Sequence, residues 1–256
     1  MLWSLLLSLI AAAFVIQIAV FSTTIFLHRC ATHRSLVLHP AVAFLFRLAL
    51  WITTGVSTKE WVAVHRKHHA FTDEPGDPHS PRMLGFWKVQ WGNVFYYTRE
   101  ARNPATIAMY AKDIHDDVWE RWFFQTGWLG PTLGTAVLCV LSKWVTGSIG
   151  WGFLAAGVHA FMYIFVLSSS INGLCHWVGY RNFDNTATNL PWLALLTGGE
   201  GLHNNHHAWQ RSAKFSWKKW ELDPAWPVIK LFTLLGLARP YRTIEQFEAE
   251  EAAQQA

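Results

Sequence analysis

Charge is scarce in this chain: only 15% of its 256 residues are Asp, Glu, Lys or Arg, against 52% hydrophobic. Cysteine is scarcer still, with Cys30, Cys139 and Cys175 alone, which excludes a disulfide-stapled framework. There is no Gly-x-Ser-x-Gly elbow and no His-Glu-x-x-His, so serine-hydrolase and zinc-protease logic find no support. No His-Pro-Gly-Gly string is present, and His39-Pro40-Ala-Val is not a substitute, so a fused cytochrome b5 is excluded. Internal repeats and low-complexity segments are missing too, and nothing points to nucleic acid. What remains is a membrane composition, with 16 tryptophans to form interfacial belts.

Three apolar stretches are long enough to span: Trp3 to Leu27, Trp122 to Leu141 and Ile149 to Ile171. Ala41 to Val56 is shorter and carries Arg47, while Leu190 to Gly199 is too short to cross. A cleaved signal peptide is the rival for the first, since Ala11 to Ala13 resembles a cleavage site, but no basic segment precedes it and the run continues to Leu27.

Nine of the 13 histidines stand in four clusters just beyond apolar stretches: His28/His33, His65/His68/His69, His176 and His203/His206/His207. The second and fourth share an i, i+3, i+4 spacing, which puts three imidazoles on one narrow helix face. His28 and His33 are five apart, about 140° round an α-helix, so they face one metal only if the helix ends or bends between them. Asn172 and His176, four apart, share a face. The lone histidines His39, His79, His115 and His159 read as ordinary core or surface residues.

Nine nitrogens exceed what one ion accepts. Two ions would take four or five each, more than a closed tetrahedral zinc site, which favours a di-iron centre with open positions; ligand type alone leaves zinc open. Neutral imidazoles leave the metal charge uncompensated, so nearby carboxylates should hold the rings: Glu60, Asp73, Asp77, Asp184 and Glu200 are the candidates.

If the nine meet, all clusters lie on one side of the membrane. Ala41 to Val56 must then dip in or lie on the surface, leaving three spans. Of 21 Lys and Arg residues only Lys143 falls in the loop between the last two spans, and the positive-inside rule makes the ligand face cytoplasmic. The expected fold is an all-α integral membrane protein: a stem of about three spans plus a re-entrant or interfacial segment under a cytosolic helical cap. As one domain over 1–256 it divides into a first span (1–27), cap (28–121), two-span hairpin (122–172) and second cap part (173–256). The acidic tail from Thr243 reads as a solvated or frayed end.

The strings His28-Arg-Cys-Ala-Thr-His33, Glu60-Trp61-Val62-Ala63-Val64-His65-Arg-Lys-His68-His69, Asp77-Pro-His-Ser, Asn172-Gly-Leu-Cys-His176 and Gly199-Glu-Gly-Leu-His203-Asn-Asn-His206-His207 resemble the membrane fatty-acyl desaturase family, in order from Phe21 to Arg242. The nearest branch is the acyl-CoA Δ9 (stearoyl-CoA-type) desaturases. The resemblance implies two non-haem iron ions on the nine histidines, Asn172 holding a metal through water, O₂ as co-substrate, and a mushroom-shaped stem and cap. It departs at two points. Animal members have a further N-terminal span, which makes a prokaryotic inner membrane the expected location. They also carry an Arg-Asp pair, contacting coenzyme A, where this chain has Ala63 and Val64.

The implied reaction introduces a cis double bond into a long-chain saturated acyl thioester, with two electrons from an external ferredoxin or cytochrome b5 type donor. A lipid hydroxylase or related di-iron oxidase is the alternative on the same scaffold; a membrane zinc hydrolase or receptor is the alternative of another class. Each buried CH₂ is worth about 0.8 kcal/mol, only about a fourfold preference for one register over the next. Overfilling a closed pocket costs about 1 to 3 kcal/mol, so a dead-ended, kinked apolar tunnel, lined by Trp61, should set the position. Arg66, Lys67, Lys88, Arg99, Arg102 and Lys112 are candidates for the substrate's phosphate-bearing head group.

Overall fold

The computed structural model describes residues 1–255. Helix α1 (Leu2–Ser22) carries no charge and continues into a π-helical stretch, Thr23–Thr32. Together they form a rod of 31 residues, about 46 Å long at 1.5 Å per residue, against a hydrocarbon layer of about 30 Å. The surplus is long enough to carry the first histidine pair beyond a layer of that thickness. Helices α2 (Pro40–Thr54) and α3 (Thr58–Ala70) meet at 88°, so α2 dips toward the stem and α3 turns away from it. The bend is made at Gly55, whose φ of +66° and approach to the Gly127 carbonyl admit no side chain. Arg47, the single charge in α2, is received by Asp117 and Glu120 at 2.5 to 3.0 Å.

Helices α4 (Pro81–Leu84), α5 (Phe86–Ala101) and α6 (Pro104–Tyr110) complete the first part of the cap. A hairpin follows, α7 (Leu129–Thr146) and α8 (Gly150–Phe161), and α8 runs through a second π stretch, Met162–Ser168, into α9 (Ser169–Asn172). Helices α10 (Pro191–Leu196), α11 (His203–Ala208), α12 (Ala225–Leu234) and α13 (Ile244–Gln255) make the rest of the cap. Its two parts are joined by an antiparallel ladder of β1 (Leu36–Leu38) and β2 (Ala238–Pro240), with Val37 opposite Arg239.

Three helices are therefore long and apolar enough to span: Leu2–Thr32, Leu129–Thr146 and Gly150–His176. The second begins seven residues after the Trp122 expected from hydropathy. Residues 122–128 instead sit at the edge of the cap, with Trp122 80% and Trp128 71% exposed, because indoles at an interface score as apolar without lying in the hydrocarbon. Small residues carry the stem packing: Ser8, Ala12 and Ala19 of α1 are buried, as are Gly152 and Ala155 of α8, and Ser8 Oγ donates to the Trp151 carbonyl at 2.7 Å.

At Gly152 an added Cβ would lie 2.5 Å from Cys139 Cα, whereas at Gly157 it would meet nothing within 4 Å. Gly152→Leu should lower the Tm of the detergent-solubilised protein by about 5 °C, and Gly157→Leu should leave it within about 2 °C. Thermal unfolding of the two variants side by side checks this.

Candidate metal centre

Each histidine cluster is aimed by a different local device. In α3, Ser57 Oγ caps the Glu60 N–H and the i, i+3, i+4 triad follows. His28 and His33 are brought to one face by the π stretch, where the His33 N–H bonds the His28 carbonyl five residues back at 3.1 Å. An i→i+5 ladder widens the turn, so a five-residue spacing returns to the same side. The six-residue α11 is too short to hold itself and is clamped by its own asparagines. Asn205 Nδ2 donates to the Phe215 carbonyl and to Glu221, and its Oδ1 accepts from Asn182 and Asn189, all at 2.8 to 2.9 Å. Asn204 Nδ2 donates to Phe183 O, Asn185 Oδ1 and Ala187 O.

All nine rings converge in two groups. His28, His33, His65, His69 and His206 form one, and His68, His176, His203 and His207 the other, each with its ligand nitrogens within 4.8 Å of one another. In the first group the Nε2 atoms make a closed four-sided ring: His28 to His206 2.9 Å, His206 to His69 3.0 Å, His69 to His65 3.0 Å and His65 to His28 3.0 Å. With metal–nitrogen bonds of about 2.0 to 2.1 Å, neighbours on an octahedron are separated by about 2.9 Å and on a tetrahedron by about 3.3 Å. The observed sides match the octahedron. His33 stands almost equidistant from the four, its ring centroid 4.6 to 5.2 Å from theirs, as an apical ligand would.

The second group has one long centroid separation, His68 to His203 at 6.5 Å, and five of 4.5 to 5.2 Å. A tetrahedron would make all six equal. The unequal spacing departs from a tetrahedral set, and His68, His176, His203 and His207 would hold a second cation.

Carboxylates orient the rings from behind. His68 Nδ1 lies 3.0 Å from both oxygens of Asp77, His176 Nδ1 2.9 Å from Asp73, and His28 Nδ1 2.6 Å from Glu200. The hydrogen bonds of His68 and His176 put the proton on Nδ1 and leave Nε2 to face a cation, while Glu200 sits against His28 Nδ1 as a close charge contact. Burial, then the charge of neighbouring histidines, holds His33, His206 and His207 well below the ordinary imidazole pKa. They are neutral at physiological pH, as metal ligands must be. Burial pushes Asp77 up, but the charge of and hydrogen bond to His68 outweigh it and bring the carboxyl down to about 2.

A cavity of about 600 Å³ runs from this centre between α3, α5 and α8. Trp61 stacks on His65 at 4.6 Å and lines it, while Glu60, Ala101 and Arg102 are shared with a shallower cleft on the cap that also holds Lys112.

The sequence matches the fatty acid desaturase family over residues 2–240. The chain belongs to the fatty acid desaturase family. It is 34% identical to an sn-1 stearoyl-lipid 9-desaturase of Synechocystis sp. over 84% of its own length and 65% of that protein's. It is also 34% identical to an acyl-CoA 5-desaturase of Anemone leveillei (86% and 66% covered) and to a Delta-9 desaturase-like 2 protein of Arabidopsis thaliana (82% and 69%). The chain thus spans about two thirds of the length of these relatives.

Not every expected residue reaches the centre. Asp184 is exposed and, among the described residues, touches no histidine; Glu60 is exposed on the rim of the cavity. Proximity in sequence misplaced them, because the loop after His176 and the first turn of α3 both face outward. Arg66 and Lys67 are engaged inside the cap and are not free for a head group. Arg66 bonds Asp113, Thr32 O, Ala31 O and Tyr110 O, and Lys67 bonds Glu100 at 2.7 Å. Lys88 and Arg99 are exposed on α5, while Arg102 and Lys112 border the cleft. Asn172 donates to Asn93 at 3.2 Å and lines the cavity. Asn204, Asn205 and Glu221 were missed; the polar pair buried between ligands in His203-Asn-Asn-His206 was the available signal. His79, read as ordinary, is buried beside His68 with both ring nitrogens unpartnered among the described residues.

Asp77→Asn should weaken metal retention about 10- to 100-fold, seen as a lower chelator concentration for loss of one ion, while His39→Ala, at an exposed site, changes nothing. Arg66 makes a second expectation. Its hydrogen bonds hold Asp113 down at about 2, below the 3.8 of a free carboxyl. A depressed carboxyl stabilises the fold above its unfolded pKa and loses that contribution as pH falls through the folded value. The Tm difference between wild type and Asp113→Asn should be constant from pH 7 to about 5 and vanish between about pH 4 and 2.

Proposed function

We propose that this desaturase introduces a cis double bond, at Δ9, into a long-chain saturated acyl thioester, with acyl-CoA as the carrier and the nine histidines holding two iron ions. The observation that carries the reading is the convergence of nine imidazoles into two groups, each with its ligand nitrogens within 4.8 Å of one another, beside a cavity of about 600 Å³. Six-coordinate spacing favours iron over tetrahedral zinc. Iron in these positions, with O₂ and two electrons, supplies the oxidising power that no acid, base or nucleophile on the chain has. Two hydrogens leave adjacent methylenes, and with two electrons and two protons O₂ becomes two waters.

The chain's own residues bind and orient. Trp61, stacked on His65, forms the wall where an acyl chain would pass the histidines. Below it the cavity is walled by Val20, Ala160, Ile164 and Leu167, which bury the tail and exclude water. Arg102 and Lys112, at the rim and in the adjoining cleft, are placed to meet the phosphates of a head group. Electrons come from a separate ferredoxin or cytochrome b5 type protein. The near absence of Lys and Arg from the hairpin loop supports a cytoplasmic cap in an inner membrane.

A second reading of the carrier is a membrane glycerolipid. It is favoured by the buried Ala63 and Val64 just before the second histidine triad, and by the name of the Synechocystis relative. Protein loaded with iron, given reductant, O₂ and either stearoyl-CoA or stearoyl glycerolipid, decides both points by mass spectrometry. Loss of two mass units with O₂ uptake supports desaturation, gain of oxygen shows hydroxylation, and zinc content without O₂ uptake refutes the proposal.

The tunnel makes a finer expectation. Ala160→Phe inserts a ring into the wall of the cavity, and overfilling costs about 1 to 3 kcal/mol, so conversion of 18-carbon chains should fall about tenfold relative to 14-carbon chains. An unchanged chain-length profile would mean that the cavity does not hold the tail.

A further inference from the structure

Arg29 is the largest side chain of the molecule with no solvent exposure, and it lies next to the ligand His28 in the sequence. Its Nη2 donates to both oxygens of Asp223 at 3.0 and 2.8 Å, and the guanidinium carbon sits 3.7 Å from the centre of the Phe215 ring. Its Nη1 donates to Thr24 Oγ1; the Thr24 hydroxyl donates on to Glu200 Oε1; and Glu200 Oε2 faces His28 Nδ1 at 2.6 Å. Chemistry sets the direction of every hydrogen. A guanidinium only donates and an ionised carboxylate only accepts, so Thr24 accepts from Arg29 and donates to Glu200. The Glu200 charge set against His28 Nδ1 favours the proton on that nitrogen, and Nε2 faces the other ligands His65 and His206.

The two histidine groups are unequal in this respect. Asp73, behind His176, is approached by Arg82 at 3.4 Å, a side chain 37% exposed and screened by water. The chain from Asp223 to His28 is dry, with Thr24, Arg29 and Asp223 all buried, and a positive charge relayed there acts at low dielectric. The Thr24 hydrogen bond draws electron density off Glu200, weakens its pull on the Nδ1 proton, and so moderates how strongly His28 donates through Nε2.

We propose that Arg29, acting through Thr24 and Glu200, is a positioning residue that sets the donor strength of His28 and with it the reduction potential of the ion in the five-histidine group, independently of the other ion. This rests on the reading that the nine histidines bind two irons. Removing the Thr24 donor should make His28 a stronger donor and its ion easier to oxidise. Removing the Glu200 charge should do the reverse.

The test is a redox titration of ⁵⁷Fe-loaded protein followed by Mössbauer spectroscopy, which separates the two ions. Thr24→Val should lower the midpoint of one iron signal by about 59 mV, tenfold in its oxidised-to-reduced ratio, and Glu200→Gln should raise the same signal by a similar amount. Thr24→Ser, which keeps the hydroxyl, should restore the wild-type value, and the second signal should stay in place throughout. A merely structural role would move both variants in one direction or move both ions together, and either result overturns the proposal, as would unchanged midpoints. Wild-type protein that takes up fewer than two irons would overturn the di-iron reading beneath it, an outcome visible in the metal content before any titration.

Discussion

Nine imidazoles can share one buried space only as neutral rings whose lone pairs meet cations. At the observed separations of 2.9 to 3.1 Å between facing Nε2 atoms, neighbouring lone pairs would repel, and protonating the rings would set like charges together out of water. A cation at the middle of each group removes both costs. The rest of the cap follows from this requirement: carboxylates on the outer nitrogens of His68 and His176 fix their tautomers, and a fully bonded asparagine pair holds the six-residue α11 in place.

In the proposed function the stem answers a second demand, which is to bring a hydrocarbon to that charged centre without bringing water. Continuous apolar helices longer than the bilayer do this. The first rod and the α8 rod both rise from the membrane into the cap, and each turns π-helical on the way, at Thr23–Thr32 and Met162–Ser168. The first of these wide turns rotates ligands into line. Both adjoin the cavity, through Thr23 on one rod and Tyr163, Ile164 and Leu167 on the other. A single helical path thus lines the cavity and carries first-cluster or third-cluster histidines at its end.

Much of this was legible in one dimension because its period is short. The i, i+3, i+4 triads need only helix geometry to be read as three ligands on a face, and the 4 and 5 division of nine histidines follows from coordination number. Other features were hidden because they depend on contacts far apart in the chain. His28 and His33 look mismatched until the π stretch is seen. Arg66 looks like a free cation until Asp113, 47 residues away, is found against it. Glu60 and Asp184 look as close to the ligands as Glu200 does, and only the direction of the backbone separates them.

Composition, the long uncharged runs and the histidine spacing determined by themselves that this is a helical protein with membrane-spanning segments and histidine groups able to hold a metal, since hydropathy and helical period are local properties of the chain. Tertiary structure alone decided which rings group together, which carboxylates stand behind them, and where the cavity runs. Those are matters of distance between segments up to 194 residues apart, as between Arg29 and Asp223, and no periodicity encodes them.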